Sequence, residues 1–160
     1  MRTQRQIFAL IAALALLLSM AVTSVSAAQM RTGVFRLTLT GDQEVIAGVC
    51  APPTVCGDPD AVAQMILIVN PTRDTVCFLT KWTDIDGTVV AAHIHLAPVG
   101  VAGGVVVPLF AGAFASTDKL RGCVSANGLA DDILATPSAY YVNIHSSPSF
   151  IPGAVRAQLG

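Results

Sequence analysis

The sequence has 160 residues, of which 53% are hydrophobic and 12% are charged, with nine basic and ten acidic residues. A chain of this length can bury a substantial core, and its near-neutral charge differs from the strong positive charge of nucleic-acid-binding domains. Because the basic residues are also scattered along the sequence, the composition argues against nucleic acid and anionic membrane surfaces as partners.

The first segment has the order of regions found in secretory signal peptides. Arg2 and Arg5 precede an uninterrupted apolar run over residues 7–18, and small residues suitable for cleavage follow it. A membrane anchor is the alternative, but a spanning helix needs about 20 apolar residues, and this run is shorter. We therefore predict a signal peptide over residues 1–28 and a single domain over residues 29–160. We expect a secreted protein, extracellular or in the cell envelope, with no membrane span after cleavage.

The four cysteines all lie beyond the predicted cleavage site, and an exported chain meets an oxidising compartment. Three disulfide pairings are open. We favour a bridge from Cys50 to Cys56, which would close a proline-rich loop, and one from Cys77 to Cys123, which would join distant segments. A zinc site built from these cysteines fits poorly, because no pair has the CxxC spacing.

Short β-strands dominate the rest of the chain. Apolar residues alternate with polar ones or form short continuous runs, and turn-forming residues separate these segments. Residues 127–135 predict one short helix, capped by Asn127 and stopped by Pro137. About seven strands and one helix predict an all-β, antiparallel sandwich or barrel. The predicted strands are residues 33–40, 61–69, 75–82, 88–96, 105–110, 139–145 and 153–159.

The three histidines of the chain fall in two of these strands. His93 and His95 are two residues apart, so their side chains point to the same face of one strand. His145 shares a face with Asn143 and Tyr141 in the other strand by the same rule. If the two strands are neighbours, all three imidazoles can converge.

The last strand adds Arg156 and Gln158 at the same spacing, so the sequence predicts a polar patch of Asn143, Arg156 and Gln158 beside the histidines. Two interpretations remain open. Three imidazole nitrogens suit a zinc or copper ion that keeps one position open for water. Alternatively, the same groups form a hydrogen-bonded cluster that fixes the register of the strands.

Seven short motifs in a fixed order carry a family resemblance, and they are LTGDQEV (39–45), GDPD (57–60), TVCF (75–78), AAHIH (91–95), GVVVPL (104–109), YYVNIH (140–145) and GAVRAQL (153–159). Together they resemble the CHRD domain, which is named after chordin and also occurs in exported microbial proteins. The resemblance implies an immunoglobulin-like β-sandwich in an extracellular setting, and it supplies no established reaction. The strand with His93 and His95 also resembles the copper-binding strand of copper/zinc superoxide dismutases.

Two functions of different classes follow from these patterns. The first is a secreted, non-enzymatic CHRD-domain protein that binds an extracellular protein or matrix component or has a structural role. It is favoured because the sequence carries no hydrolase elbow, phosphate-binding glycine loop or HExxH helix, and we assign no catalytic residue. The second is an exported copper- or zinc-binding protein that uses His93, His95 and His145, with superoxide-dismutase-like redox activity as an extension.

Overall fold

The fold is all-β. A computed structural model describes residues 31–50 and 53–160, and the predicted signal peptide lies outside these ranges. The described residues form eight strands, one α-helix and two short 3-10 turns. In chain order the elements are β1 (Gly33–Thr40), a turn (Gly41–Gln43), β2 (Val62–Asn70), β3 (Thr75–Thr83), β4 (Thr88–Leu96), β5 (Gly104–Ala111), β6 (Lys119–Ser125), α1 (Ala130–Ala135), a turn (Pro137–Ala139), β7 (Tyr140–Ser147) and β8 (Val155–Gln158).

The eight strands of the described part form one antiparallel sheet in the order β5-β4-β7-β8-β1-β2-β3-β6. The sheet bends until its edge strands, β5 and β6, contact each other, so it is nearly closed. Thr40 of β1 pairs with Arg156 of β8, and this single residue pair forms a narrow seam between two four-stranded halves. The prediction of an all-β antiparallel fold is confirmed, with the two layers of the sandwich joined into one sheet.

Alternating apolar residues direct one face of each half into a shared core. In β2, Ala63, Met65, Leu67 and Val69 are buried, while the residues between them lie nearer the surface. Fully burying a large aliphatic side chain stabilises a fold by about 1.5–3 kcal/mol. Packing of the two inner faces therefore holds the sheet in its bent form.

Strand β6 is the element that the sequence does not predict. It pairs with β3 at the edge of the sheet, and every one of its residues is at least partly exposed. Cys77 of β3 lies directly opposite Cys123 of β6, and the two form a disulfide. Cys50 and Cys56 form the second disulfide, so the favoured pairing is confirmed.

The helix α1 is shorter than predicted, and the prediction that Asn127 caps it is wrong. Asn127 has a positive φ of 56°, and its side-chain amide donates to the Val106 carbonyl instead. The Asp74 carboxylate accepts from the N–H groups of Gly128 and Ala130, and thus satisfies donors at the start of the helix. Within the described ranges, no helix is long and apolar enough to cross a membrane.

The outer face of β1, β2, β3 and β6 collects basic residues that are scattered in the sequence. One row across these four strands begins at Arg36 and ends at Arg121, and the adjacent row places Lys81 beside Lys119. Four of the seven basic residues in the described part of the chain therefore share one face. Basic residues that are scattered along the sequence are therefore close together in the folded protein.

Candidate metal centre

The three histidines converge on the outer face of the half that contains β4 and β7. These strands are neighbours, with His93 directly opposite Asn143. His93, His95 and His145 each offer a ring nitrogen, and the three nitrogens lie within 4.8 Å of one another. Ile94, between the first two histidines, points into the core because successive strand residues face opposite ways. The predicted convergence is therefore confirmed.

The closest nitrogen pair already has the spacing of two ligands on one ion. His93 Nδ1 and His145 Nε2 are 3.1 Å apart. Two ligands on a tetrahedral zinc ion with bonds of 2.0–2.1 Å are separated by about 3.3 Å. Within the described residues, the His93 ring makes one hydrogen bond, to His145. No second hydrogen bond fixes this ring, so it can rotate to the orientation that a metal ion requires.

Backbone carbonyls fix the other two rings. His95 Nδ1 donates to the Gly103 carbonyl at 2.9 Å, and His145 Nδ1 donates to the Ile151 carbonyl at 2.8 Å. Because a carbonyl oxygen can only accept, each Nδ1 carries the proton and each Nε2 presents a lone pair. Metal-ligating histidines are oriented in the same way by an acceptor on their other ring nitrogen.

Asn143 and Glu44 lie behind the histidines. Asn143 Oδ1 is 3.0 Å from the Nε2 atoms of both His95 and His145. The Asn143 amide nitrogen faces Glu44, with Nδ2 3.5 Å from Oε2. Glu44 is 1% exposed, and its other carboxylate oxygen accepts from the Val45 N–H at 3.1 Å. The carboxylate therefore orients the amide, whose oxygen points to the two imidazoles.

A buried stack connects His95 to the next two strands. The Tyr141 ring stacks on His95 with 4.6 Å between centroids, and the Arg156 guanidinium lies over the Tyr141 ring. Arg156 is 1% exposed and donates to the carbonyls of Val101 and Pro98 at 3.0 and 3.1 Å. These hydrogen bonds hold the loop over residues 97–103 against the sheet, and this loop supplies the carbonyl that fixes His95.

The predicted polar patch divides into two parts. Asn143 contacts the histidines, whereas Gln158 donates to the carbonyls of Ala97 and Ser138 at 2.9 and 2.8 Å. Gln158 also accepts from Arg156 at 3.3 Å. Arg156 and Gln158 therefore position a loop, and only Asn143 of the three faces the histidine nitrogens.

Burial keeps the imidazoles neutral. It lowers the pKa of His93 to about 4, with further contributions from the neighbouring His145 and His95. Burial is also the main cause of the lowered pKa values of His95 and His145. In contrast, burial raises the pKa of Glu44. Since the neutral imidazole is the form that ligates a metal, the cluster needs little or no deprotonation at neutral pH.

Comparison with known families places these residues in a defined domain. The chain matches the family model of the CHRD domain over residues 35–159. The chain belongs to the CHRD domain family. No curated protein and no solved structure matches it. The matched range includes all three histidines, Asn143 and Glu44, so the candidate centre lies wholly within the CHRD domain.

Sequence reasoning finds the side chains on the strands of this CHRD domain and misses the groups that reach them from loops. Glu44 lies outside the strands, and the signal that points to it is its place in the LTGDQEV motif. The Gly103 and Ile151 carbonyls carry no signal at all, because every residue type has a carbonyl group.

Proposed function

We propose that this CHRD-domain protein is an exported, non-enzymatic binding module whose ligand is a zinc or copper ion, held by His93, His95 and His145. The observation that carries the proposal is the anchoring of His95 and His145. Their Nδ1 atoms donate hydrogen bonds to backbone carbonyls, so each Nε2 atom has a lone pair that can bind a metal. One ring nitrogen from each of His93, His95 and His145 lies within 4.8 Å of the other two. This arrangement meets the requirements of a transition-metal site with nitrogen ligands.

Export is supported by two independent features. The N-terminal sequence has the order of a secretory signal peptide. The two disulfides are typical of proteins that fold in an oxidising compartment. A module of this kind would meet metal ions outside the cytoplasm.

Metal titration of purified, chelator-stripped protein tests the proposal. We expect one equivalent of Zn²⁺ or Cu²⁺ per chain by calorimetry and elemental analysis. His95→Ala and His145→Ala should each weaken binding at least about 10–100-fold, since each removes a ligand. Gln64→Ala is the matched control, because this exposed residue of β2 lies in the other half of the sheet.

Two outcomes would refute the proposal. One is binding of less than about a tenth of an equivalent by the natural sequence at neutral pH. The other is equal uptake by the natural sequence and by a variant that lacks both His95 and His145. Circular dichroism of each variant verifies that it is folded.

A further inference from the structure

We propose that Asn143 supplies a fourth protein ligand through its Oδ1 atom, and that Glu44 is the residue that positions the amide for this role. The centre would then have three nitrogen ligands and one oxygen ligand, a set that suits a divalent ion such as Zn²⁺ or Cu²⁺. This inference rests on the proposed metal-binding function and names the ligand set and the class of ion.

The location of Asn143 supports a direct contact with the ion. Asn143 lies on the central strand β7, opposite His93 on β4 and opposite Arg156 on β8. Its Oδ1 is 3.0 Å from both anchored Nε2 atoms, those of His95 and His145. Ligands that share one ion through bonds of about 2.0–2.2 Å are spaced at similar distances. The oxygen therefore already has the spacing of a ligand.

The hydrogen positions make this contact unfavourable without a cation. The Nδ1 protons of His95 and His145 are directed to backbone carbonyls, so no ring hydrogen lies between either Nε2 atom and Asn143 Oδ1. His93 Nδ1 donates to His145 Nε2, so His95 Nε2 and Asn143 Oδ1 remain as two acceptors that face each other at 3.0 Å, in a site where Asn143 is 2% exposed and His95 is 6% exposed. Two buried acceptors in contact are costly in a low dielectric unless a positive charge lies between them. A metal ion provides that charge.

Glu44 determines which end of the amide faces the histidines. Both Glu44 carboxylate oxygens accept hydrogen bonds, from Asn143 Nδ2 and from the Val45 N–H. With the amide turned over, Asn143 Oδ1 would take the place of Nδ2, and two acceptor oxygens would be in contact. The carboxylate is itself held by the Val45 N–H and is fully enclosed, so it cannot turn away to water. Glu44 therefore acts through Asn143 as a positioning residue.

An oxygen ligand from Asn143 would change which metal ions the centre binds most tightly. Carboxylate and carbonyl oxygens favour harder divalent ions, whereas Cu⁺ favours soft thiolate and thioether ligands. A centre with Asn143 bound should hold Zn²⁺ and Cu²⁺ more tightly than a centre with the histidines alone. Removal of the oxygen should change the affinity for Cu⁺ much less.

Electron paramagnetic resonance of the Cu²⁺ protein, together with Zn²⁺ and Cu⁺ titrations, tests the inference. Asn143→Leu keeps the approximate size and removes the oxygen, and we expect Zn²⁺ binding to weaken about 10–100-fold, with an altered Cu²⁺ spectrum and a Cu⁺ affinity within about threefold. Glu44→Gln should shift the spectrum in the same direction, because its neutral amide tolerates the turned Asn143. Asn143→Asp should retain an oxygen ligand and tighten Zn²⁺ binding.

The outcomes separate this inference from the proposed function. If the natural sequence binds no metal, the proposed function itself fails. If it binds through the histidines, but Asn143→Leu or Asn143→Asp leaves the Cu²⁺ spectrum and Zn²⁺ affinity unchanged, only the fourth ligand is refuted. A Glu44→Gln protein that loses stability but keeps the natural spectrum would refute the positioning role. Because the aspartate and glutamine variants are close in shape to the natural residues, they test the inference even if the leucine variant does not fold.

Discussion

The guanidinium carbon of Arg156 lies 3.4 Å from the centre of the Tyr141 ring, whose strand runs between those of Arg156 and His95. A desolvated contact between a cation and an aromatic ring contributes about 2 kcal/mol. The same guanidinium holds the 97–103 loop through two carbonyls. The buried Arg156 side chain thus connects two parts of the structure. It binds the 97–103 loop, which fixes His95, and it packs on Tyr141 of β7, the strand that carries His145.

Replacement of this charge should loosen both the fold and the metal centre. We expect Arg156→Met to lower the free energy of unfolding by about 3 kcal/mol, because the Pro98 and Val101 carbonyls lose their charged donor and the Tyr141 ring loses the cation that lies over it. Metal affinity should fall as well, since the loop that carries the Gly103 carbonyl loses the two hydrogen bonds from Arg156. Urea unfolding and metal titration measure the two effects. Arg36→Met, at an exposed position, should change stability by no more than about 0.5 kcal/mol, and a similar loss in both variants would contradict the role of Arg156.

Gly153 is needed for close packing against Glu44. Its φ is +151°, and an added Cβ would overlap the Glu44 carboxylate. Gly153→Ala should therefore destabilise the fold by about 2 kcal/mol or more and weaken metal binding by displacing Glu44. The control is Gly128→Ala, since Gly128 also has a positive φ, +81°, but no atom within 4 Å of an added Cβ.

Gly128→Ala should lower the free energy of unfolding by only about 1 kcal/mol, the cost of a left-handed backbone at a residue with a Cβ, and should leave metal binding unchanged. Thermal unfolding and Zn²⁺ titration of the two variants provide the comparison. Equal metal affinities in both would show that the contact between Gly153 and Glu44 does not matter for the centre.

The two disulfides should differ in their contributions to stability. The Cys77–Cys123 bridge spans a sequence separation of 46 residues, and the Cys50–Cys56 bridge spans 6. In the chain-entropy description, replacement of both cysteines by serine should cost about 4 kcal/mol for the first bridge and about 2 kcal/mol for the second. Denaturant unfolding of the two double variants measures the difference. A larger loss for the short loop would point to a cause other than loop-closure entropy.

Stability of the metal-free protein should depend on pH through His93. The unfolded chain protonates this residue below its ordinary pKa of 6.5, whereas the folded chain does so near pH 4. Between these values the unfolded state binds more protons, so the free energy of unfolding should fall as the pH falls from 6.5 to 4. Glu44, with its raised pKa, acts in the opposite direction above pH 4.5.

Comparison with His93→Asn isolates the histidine contribution to this pH dependence. Urea unfolding in the presence of a chelator at pH 7, 6 and 5 should give a smaller decline in the variant than in the natural sequence. Identical declines would mean that burial does not lower the pKa of His93.

Much of the sheet is predictable from local pattern. The strands over residues 33–40 and 88–96 have the predicted bounds, because both segments are rich in strand-forming residues and are flanked by turn-forming residues. Strand β6 escapes prediction because it lies at a sheet edge with no fully buried residue, and its glycine, lysine and arginine obscure the pattern. The helix start at residue 130 depends on Asp74, which is 56 residues away in the sequence.

The histidine cluster is also predictable from local sequence pattern, whereas the residues that surround it, such as Glu44, are not. Spacing by two residues places His93 and His95 on one face whatever the topology. The pairing of β4 with β7 brings His145 to the same face. This pairing joins segments about 50 residues apart, so local sequence pattern does not predict it. Glu44 lies 99 residues from Asn143, so only the closed sheet brings the two together.

If the histidine cluster binds a metal ion as proposed, the narrow seam between β1 and β8 would report whether the ion is bound. Local opening is easiest where few ladder hydrogen bonds join two strands, and amide hydrogens there exchange with solvent soonest. Glu44 follows β1 and reaches Asn143 on β7, so an opening at Thr40 and Arg156 would pull the carboxylate away from the amide. An ion that binds only the closed sheet suppresses such openings in proportion to its binding free energy. Deuterium uptake at Thr40 should therefore slow when the centre is filled, although Thr40 is not one of its ligands.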